Sequence, residues 1–126
     1  MKSRSILVVD DESELRDMIA RVLSEAGHRV DTASDGAIAS RLIAARDFDL
    51  VVTDVIMPER DGMQVISELR RKHPQVKIIA MSGGGHVPRE HYLKMARGLG
   101  AHAVLSKPFA VQELLAAVAS AFPADA

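Results

Sequence analysis

Three carboxylates and one lysine stand where short apolar runs of this sequence end. Asp10 and Asp11 follow Ser5 to Val9, Asp54 follows Leu50 to Thr53, and Lys107 follows shortly after Ala103 to Leu105. Carboxylate oxygens are the ligands a hard cation such as Mg²⁺ takes. Lysine is a point-charge partner for phosphate. A carboxylate can also act as a nucleophile and form an aspartyl-phosphate, provided that cations neutralise the phosphoryl oxygens. Asp54 is therefore read as a phosphate acceptor, with Asp10 and Asp11 as metal ligands beside it. Ser82, at the end of the Val76 to Met81 run, carries a hydroxyl that can donate to a bound phosphoryl group. Each residue alone has a plainer reading. Asp11 with Glu14 three residues on fits a capping box, an aspartate after a strand is a common turn former, and Lys107 stands before a helix-starting proline. Ser82 can be a turn serine ahead of Gly83-Gly84-Gly85. Their joint occurrence favours the chemical reading.

The elements that must position these residues follow from the hydropathy pattern. Short β-branched runs alternate with segments whose apolar residues recur at helical spacing. Ser5 to Val9, Arg29 to Ala33, Leu50 to Thr53, Val76 to Met81 and Ala103 to Leu105 read as strands. Leu15, Met18, Ile19, Val22, Leu23 and Ala26 mark the first helix, which Gly27 stops. Ile38, Leu42 and Ala45 mark the second. Met63, Ile66 and Leu69 mark the third, with Asp61 as its cap. Arg89 to Arg97 forms the fourth, and Val111 to Phe122 the fifth, with Val111, Leu114, Leu115, Val118 and Phe122 on its buried face. Strands alternating with helices predict an α/β fold, a parallel sheet covered on both faces. In such sheets ligands bind outside the carboxyl ends of the strands, where the acids and the lysine fall.

Composition narrows the function. The chain has 126 residues, 48% hydrophobic and 26% charged, with formal net charge −1. This predicts one globular domain over residues 1–126, with no linker and no internal repeat. No basic run points to nucleic acid. The absence of cysteine excludes disulfides and thiolate-bound metals. No segment has the length of a signal peptide core or a membrane span, so a cytoplasmic protein without membrane contact is expected. The five histidines, His28, His73, His86, His91 and His102, lack zinc-site spacing and read as surface or loop residues.

Taken in order, Val8-Val9-Asp10-Asp11-Glu12, Asp54-Val55-Ile56-Met57-Pro58-Glu59-Arg60-Asp61-Gly62, Met81-Ser82-Gly83, Gly100-Ala101 and Lys107-Pro108-Phe109 form a specific set. With these motifs the chain resembles the receiver domain of bacterial two-component response regulators, from Ile6 to about Phe122. It is most similar to the stand-alone kind used in chemotaxis. The resemblance implies a flavodoxin-like, doubly wound sheet of five strands in the order 2-1-3-4-5 with five helices. It implies that Asp54 accepts a phosphoryl group from a phosphohistidine on a sensor histidine kinase or a histidine phosphotransfer protein. Mg²⁺ is then held by Asp11, Asp54 and the backbone carbonyl of Ile56, with Asp10 reaching it through water. Lys107 binds a phosphoryl oxygen. Ser82 turns toward the phosphate and biases the face formed by helix 4, strand 5 and helix 5, which a downstream protein target reads.

Three departures from the family pattern stand out. Val104 holds the position of the usual aromatic switch residue, leaving output to other residues such as Tyr92. The spacing from Ser82 to Lys107 is slightly long, with the excess expected between Gly83 and Arg89. Ile56 and Gly84 occupy the positions that influence the attacking water. A flavin- or dinucleotide-binding domain would want a glycine-rich loop where Asp10-Asp11-Glu12 stands. A phosphatase with a nucleophile on the first strand would show Asp-x-Asp there. A degenerate receiver acting as a protein-binding adaptor is the remaining alternative, against which the intact acids and lysine argue.

Overall fold

A computed structural model describes residues 2–55, 62–82, 89–98 and 100–123. The elements run β1 (Ser5–Val9), α1 (Ser13–Glu25), β2 (Arg29–Ala33), α2 (Gly36–Ala45), β3 (Leu50–Asp54), α3 (Gly62–Lys72), β4 (Lys77–Ser82), α4 (Arg89–Gly98), β5 (Ala103–Ser106) and α5 (Val111–Ala121). All pairings are parallel and the strand order is β2-β1-β3-β4-β5, as expected for a flavodoxin-like sheet.

The three inner strands are apolar because both of their faces are covered. Leu7, Val9, Val51, Ile78 and Ala80 point to one face and pack with Ala39 and Ile43 of α2 and Val65, Ile66 and Leu69 of α3. Ile6, Val8, Leu50, Val52, Ile79 and Met81 point to the other, against Ile19 and Leu23 of α1 and Leu114 and Val118 of α5. This period-2 division puts every strand's carboxyl end at one edge. There the pairing runs past the strands: Asp10 N donates to Ala33 O at 3.1 Å, Val55 N to Met81 O at 3.0 Å, and Lys107 N to Ser82 O at 2.8 Å. The backbone around the chemically interesting residues is thereby held in register with the sheet.

Several expectations are corrected. Asp11 does not cap α1: the N-cap is Glu12, whose side chain makes no capping bond. Asp35 caps α2 by accepting from Ile38 N. The buried side of α2 is Gly36, Ala39 and Ile43, while Ala45 is exposed. Val111 is exposed as well, as are Gln112 and Glu113, and the buried face of α5 begins at Leu114. His28 is buried, its Nδ1 accepting from the Arg4 N–H. β4 starts and ends one residue later than expected, so that it includes Ser82. Ile56, the Asp61 cap, Met57, Gly83 to Gly85 and His86 lie outside the described residues, as do the side chains of Met63 and Tyr92.

Among the described residues two glycines have positive φ, Gly27 at φ 98° and Gly100 at φ 88°. A Cβ on Gly27 would meet open space, whereas one on Gly100 would lie 2.9 Å from Cδ of Arg70. That side chain is not free to yield, because its guanidinium donates to the carbonyls of Pro74 and Val76. Gly27→Ala should therefore lose about 1 kcal/mol, the backbone cost alone. Gly100→Ala should lose about 1–2 kcal/mol more, since Arg70 must shift. Urea unfolding of the two variants checks this, and equal losses would show that Arg70 adapts without cost.

Candidate functional site

The carboxyl ends of β1, β3 and β5 bring Asp10, Asp54 and Lys107 into contact. Asp10 and Asp54 are buried, at 0% and 5% exposure. Lys107 Nζ donates to Asp10 Oδ2 at 2.8 Å and to Asp54 Oδ2 at 2.9 Å. The same ammonium lies 3.5 Å from Glu12 Oε1. Asp10 is fixed further by its other oxygen, which accepts from Glu12 N at 2.8 Å, and by its carbonyl, which accepts from Arg16 Nη1 at 2.9 Å. On the far side, Thr53 Oγ1 donates to the carbonyl of Asp54 at 3.0 Å. The Lys107–Pro108 peptide bond is cis.

A lysine buried without partners would lose its proton readily. Burial of Lys107 acts in that direction, but its hydrogen bonds to Asp10 and Asp54 and their negative charge outweigh it, and its pKa is raised above the ordinary lysine value. The side chain is only 11% exposed, so this is a partly buried ion cluster and not a surface pair. The plain reading of Lys107 as an exposed residue ahead of a proline is thereby set aside.

Asp11 and Glu12 are exposed at the mouth. With Asp10 they can each offer an oxygen, all within 4.8 Å of one another. This set is purely carboxylate, which fits a hard divalent cation and not a soft one. The sequence grouped Asp54 with Asp10 and Asp11. In the structure the third member of the compact acidic group is Glu12, and Asp54 is joined to it through Lys107. Glu12 was not singled out from the sequence, where its only signal is adjacency to the aspartate pair. Ser82 is buried at the end of β4, one residue past the Met81 that pairs with Asp54, and its carbonyl accepts from Lys107 N. Val104 packs on the core that α2 and α3 share with the sheet.

Comparison with known proteins identifies the family and the fold. The family model of the response regulator receiver domain matches residues 6–119. Among curated proteins, the transcriptional regulatory protein TcrA of Mycobacterium tuberculosis is 39% identical over 113 residues, covering 88% of this chain and 43% of TcrA. The chain thus spans less than half the length of that relative. Among solved structures, a response regulator receiver domain protein from Clostridium thermocellum superimposes with a TM-score of 0.86 at 31% identity, covering 97% of this chain and 96% of the other. TrrA of Thermotoga maritima, crystallised in complex with Mg(2+)-BeF, gives 0.81 at 30% identity, with 94% and 98% covered. No helix among the described residues is long and apolar enough to cross a membrane.

Lys107→Met would leave two buried carboxylates without their cation. With divalent ions chelated, it should lose about 3 kcal/mol of stability, the scale for breaking a buried ion pair. Because the folded-state pKa of Lys107 is raised, its contribution is fully present below the ordinary lysine pKa and is lost only as pH rises through the raised value. The stability gap between wild type and variant should therefore be flat from about pH 6 to about pH 9. Urea titrations across that range check both points, and a gap below about 1 kcal/mol would mean that the pair behaves as a surface contact.

Proposed function

The chain belongs to the response regulator receiver domain family of two-component systems, and from that premise we propose that Asp54 is its phosphoacceptor. The observation that carries the reading is the Lys107 ammonium held between Asp54 and Asp10 at the sheet edge, beside the exposed carboxylates of Asp11 and Glu12. Receiver domains act with histidine kinases and downstream effectors. For this chain the donor is a phosphohistidine on a sensor kinase or phosphotransfer protein.

The transfer needs an oxygen of Asp54 in line with the phosphorus of the donor. The Asp54 oxygen forms the new P–O bond as the P–N bond to imidazole breaks, and the bonding pair stays on the imidazole nitrogen. Lys107 offsets charge on the transferred oxygens from a position already 2.9 Å from Asp54. Asp10, Asp11 and Asp54 would hold Mg²⁺, together with the backbone carbonyl of Ile56. Bound there, the ion supplies charge neutralisation for the phosphoryl group. Asp10 serves twice in this scheme, because its Oδ2 anchors Lys107 while its carboxylate closes the acidic group. Hydrolysis of the acyl phosphate by water ends the signal.

The reading extends to output. Phosphorylation draws Lys107 and the hydroxyl of Ser82 toward new phosphoryl oxygens. Their backbones are joined by the Lys107 N to Ser82 O bond. A pull on either residue therefore acts on the ends of both β4 and β5, next to α4 and α5. This supports a population shift of the α4-β5-α5 face. Val104 supplies no aromatic ring to rotate, so the shift is carried by backbone and packing.

Intact mass after incubation with Mg²⁺ and acetyl phosphate tests the core of the proposal. Wild type should gain one phosphoryl group, Asp54→Ala none, and a chelator should abolish the gain. Asp11→Ala should form the adduct only at raised Mg²⁺ concentration. An adduct of undiminished yield on Asp54→Ala would move the acceptor elsewhere.

A further inference from the structure

Glu12 is the member of the site that neither the helix nor the proposed transfer uses. It stands at the N-cap of α1, where a side chain ordinarily accepts from the first turn, yet it makes no such bond. Its carboxylate lies toward Lys107 instead, 3.5 Å from the ammonium, with its side chain 65% exposed. An ammonium has three N–H donors. Two are committed to Asp10 and Asp54 at 2.8 and 2.9 Å. Glu12 is the loosest of the three anions around it and the one nearest solvent, so it is the one a newcomer displaces.

We propose that Glu12 is a positioning residue whose carboxylate, 3.5 Å from the Lys107 ammonium, holds that place by charge until an incoming phosphoryl oxygen displaces it, while lending its charge to cation capture by Asp10 and Asp11. The inference rests on the phosphoacceptor reading of Asp54. Its physical content is a pair of opposite effects from one charge. A carboxylate at the mouth repels an anionic donor and competes for Lys107. The same carboxylate, within 4.8 Å of the oxygens of Asp10 and Asp11, attracts a divalent cation. Glu12 thus makes the site favour metal first and phosphoryl donor second. A residue that merely supported the fold would move both affinities in the same direction when replaced.

The test compares wild type, Glu12→Gln and Glu12→Asp. Mg²⁺ affinity is measured by calorimetric titration. The rate of phosphorylation by acetyl phosphate at saturating Mg²⁺ is followed by intact mass as a function of donor concentration. For Glu12→Gln, Mg²⁺ should bind roughly two- to tenfold more weakly, the scale of one exposed charge at this range. Half-saturation by acetyl phosphate should fall by a similar, roughly two- to tenfold, factor, and both differences should shrink in about 1 M salt. Glu12→Asp keeps the charge but not the reach, so it should retain Mg²⁺ affinity while showing the donor effect. Parallel losses in both affinities, or no change in either, would overturn the inference while an adduct on Asp54 still formed. No adduct on wild type would instead overturn the phosphoacceptor reading, and this inference with it.

Discussion

The fold is arranged around one ammonium group. Lys107 reaches the carboxyl end of the sheet from β5 and meets a carboxylate from β1 and another from β3, each within 2.9 Å. Two buried carboxylates so close together would repel one another and lose solvation. The lysine offsets both costs, and the carboxylates in turn keep the lysine charged despite its burial. Neither half of this arrangement is stable alone, so the three strand ends must arrive in register. The rest of the sheet serves that requirement. Backbone bonds continue one residue past each strand, from Asp10 to Ala33, Val55 to Met81 and Lys107 to Ser82.

That need for register explains why the inner strands are almost purely apolar. Asp10 and Asp54 are residues a sheet interior would not tolerate, and they occur only where the strands run out. Below them Ile6 to Val9, Leu50 to Val52 and Ile78 to Met81 are fully covered by helices on both faces. Slipping a strand by one residue would exchange the packing of its two covered faces and carry a carboxylate into the core. The core therefore fixes the height of each charge at the rim to within an ångström or so, which a loop-borne site would not achieve.

How much of this was legible in the residues alone follows the same logic. The strands could be read because short β-branched runs have few competing interpretations, and their order came from the family resemblance. Asp10, Asp54 and Lys107 could be read because each ends such a run. What could not be read were contacts set by three-dimensional angle. The approach of Glu12 to Lys107 depends on how α1 leaves the sheet, and a glutamate after two aspartates carries no spacing signal of its own. Asp11 looked like a cap because Glu14 stood at capping-box distance, yet the helix starts one residue later, which frees Asp11 for the mouth of the site. His28 looked like a surface residue, since nothing local announces that Arg4 will donate a backbone N–H to its ring. Val111 had the right period for the core but sits in an exposed first turn.

The distribution of exposure across the acids is the remaining constraint. Asp10 and Asp54 are dry, whereas Asp11 and Glu12 are open to water. A site built only of the buried members would set two carboxylates against one ammonium, with most of the charge offset and little reach toward a cation arriving from solvent. A site built only of the exposed members would bind cations weakly and orient nothing. With both present, the buried pair holds the lysine in place while the exposed pair leaves negative charge uncompensated at the mouth. The stability of the ion cluster and the excess of charge beside it therefore come from the same short stretch, Asp10-Asp11-Glu12. Strengthening one by neutralising Asp11 or Glu12 would weaken the other, as expected where an active surface is kept short of its most stable arrangement.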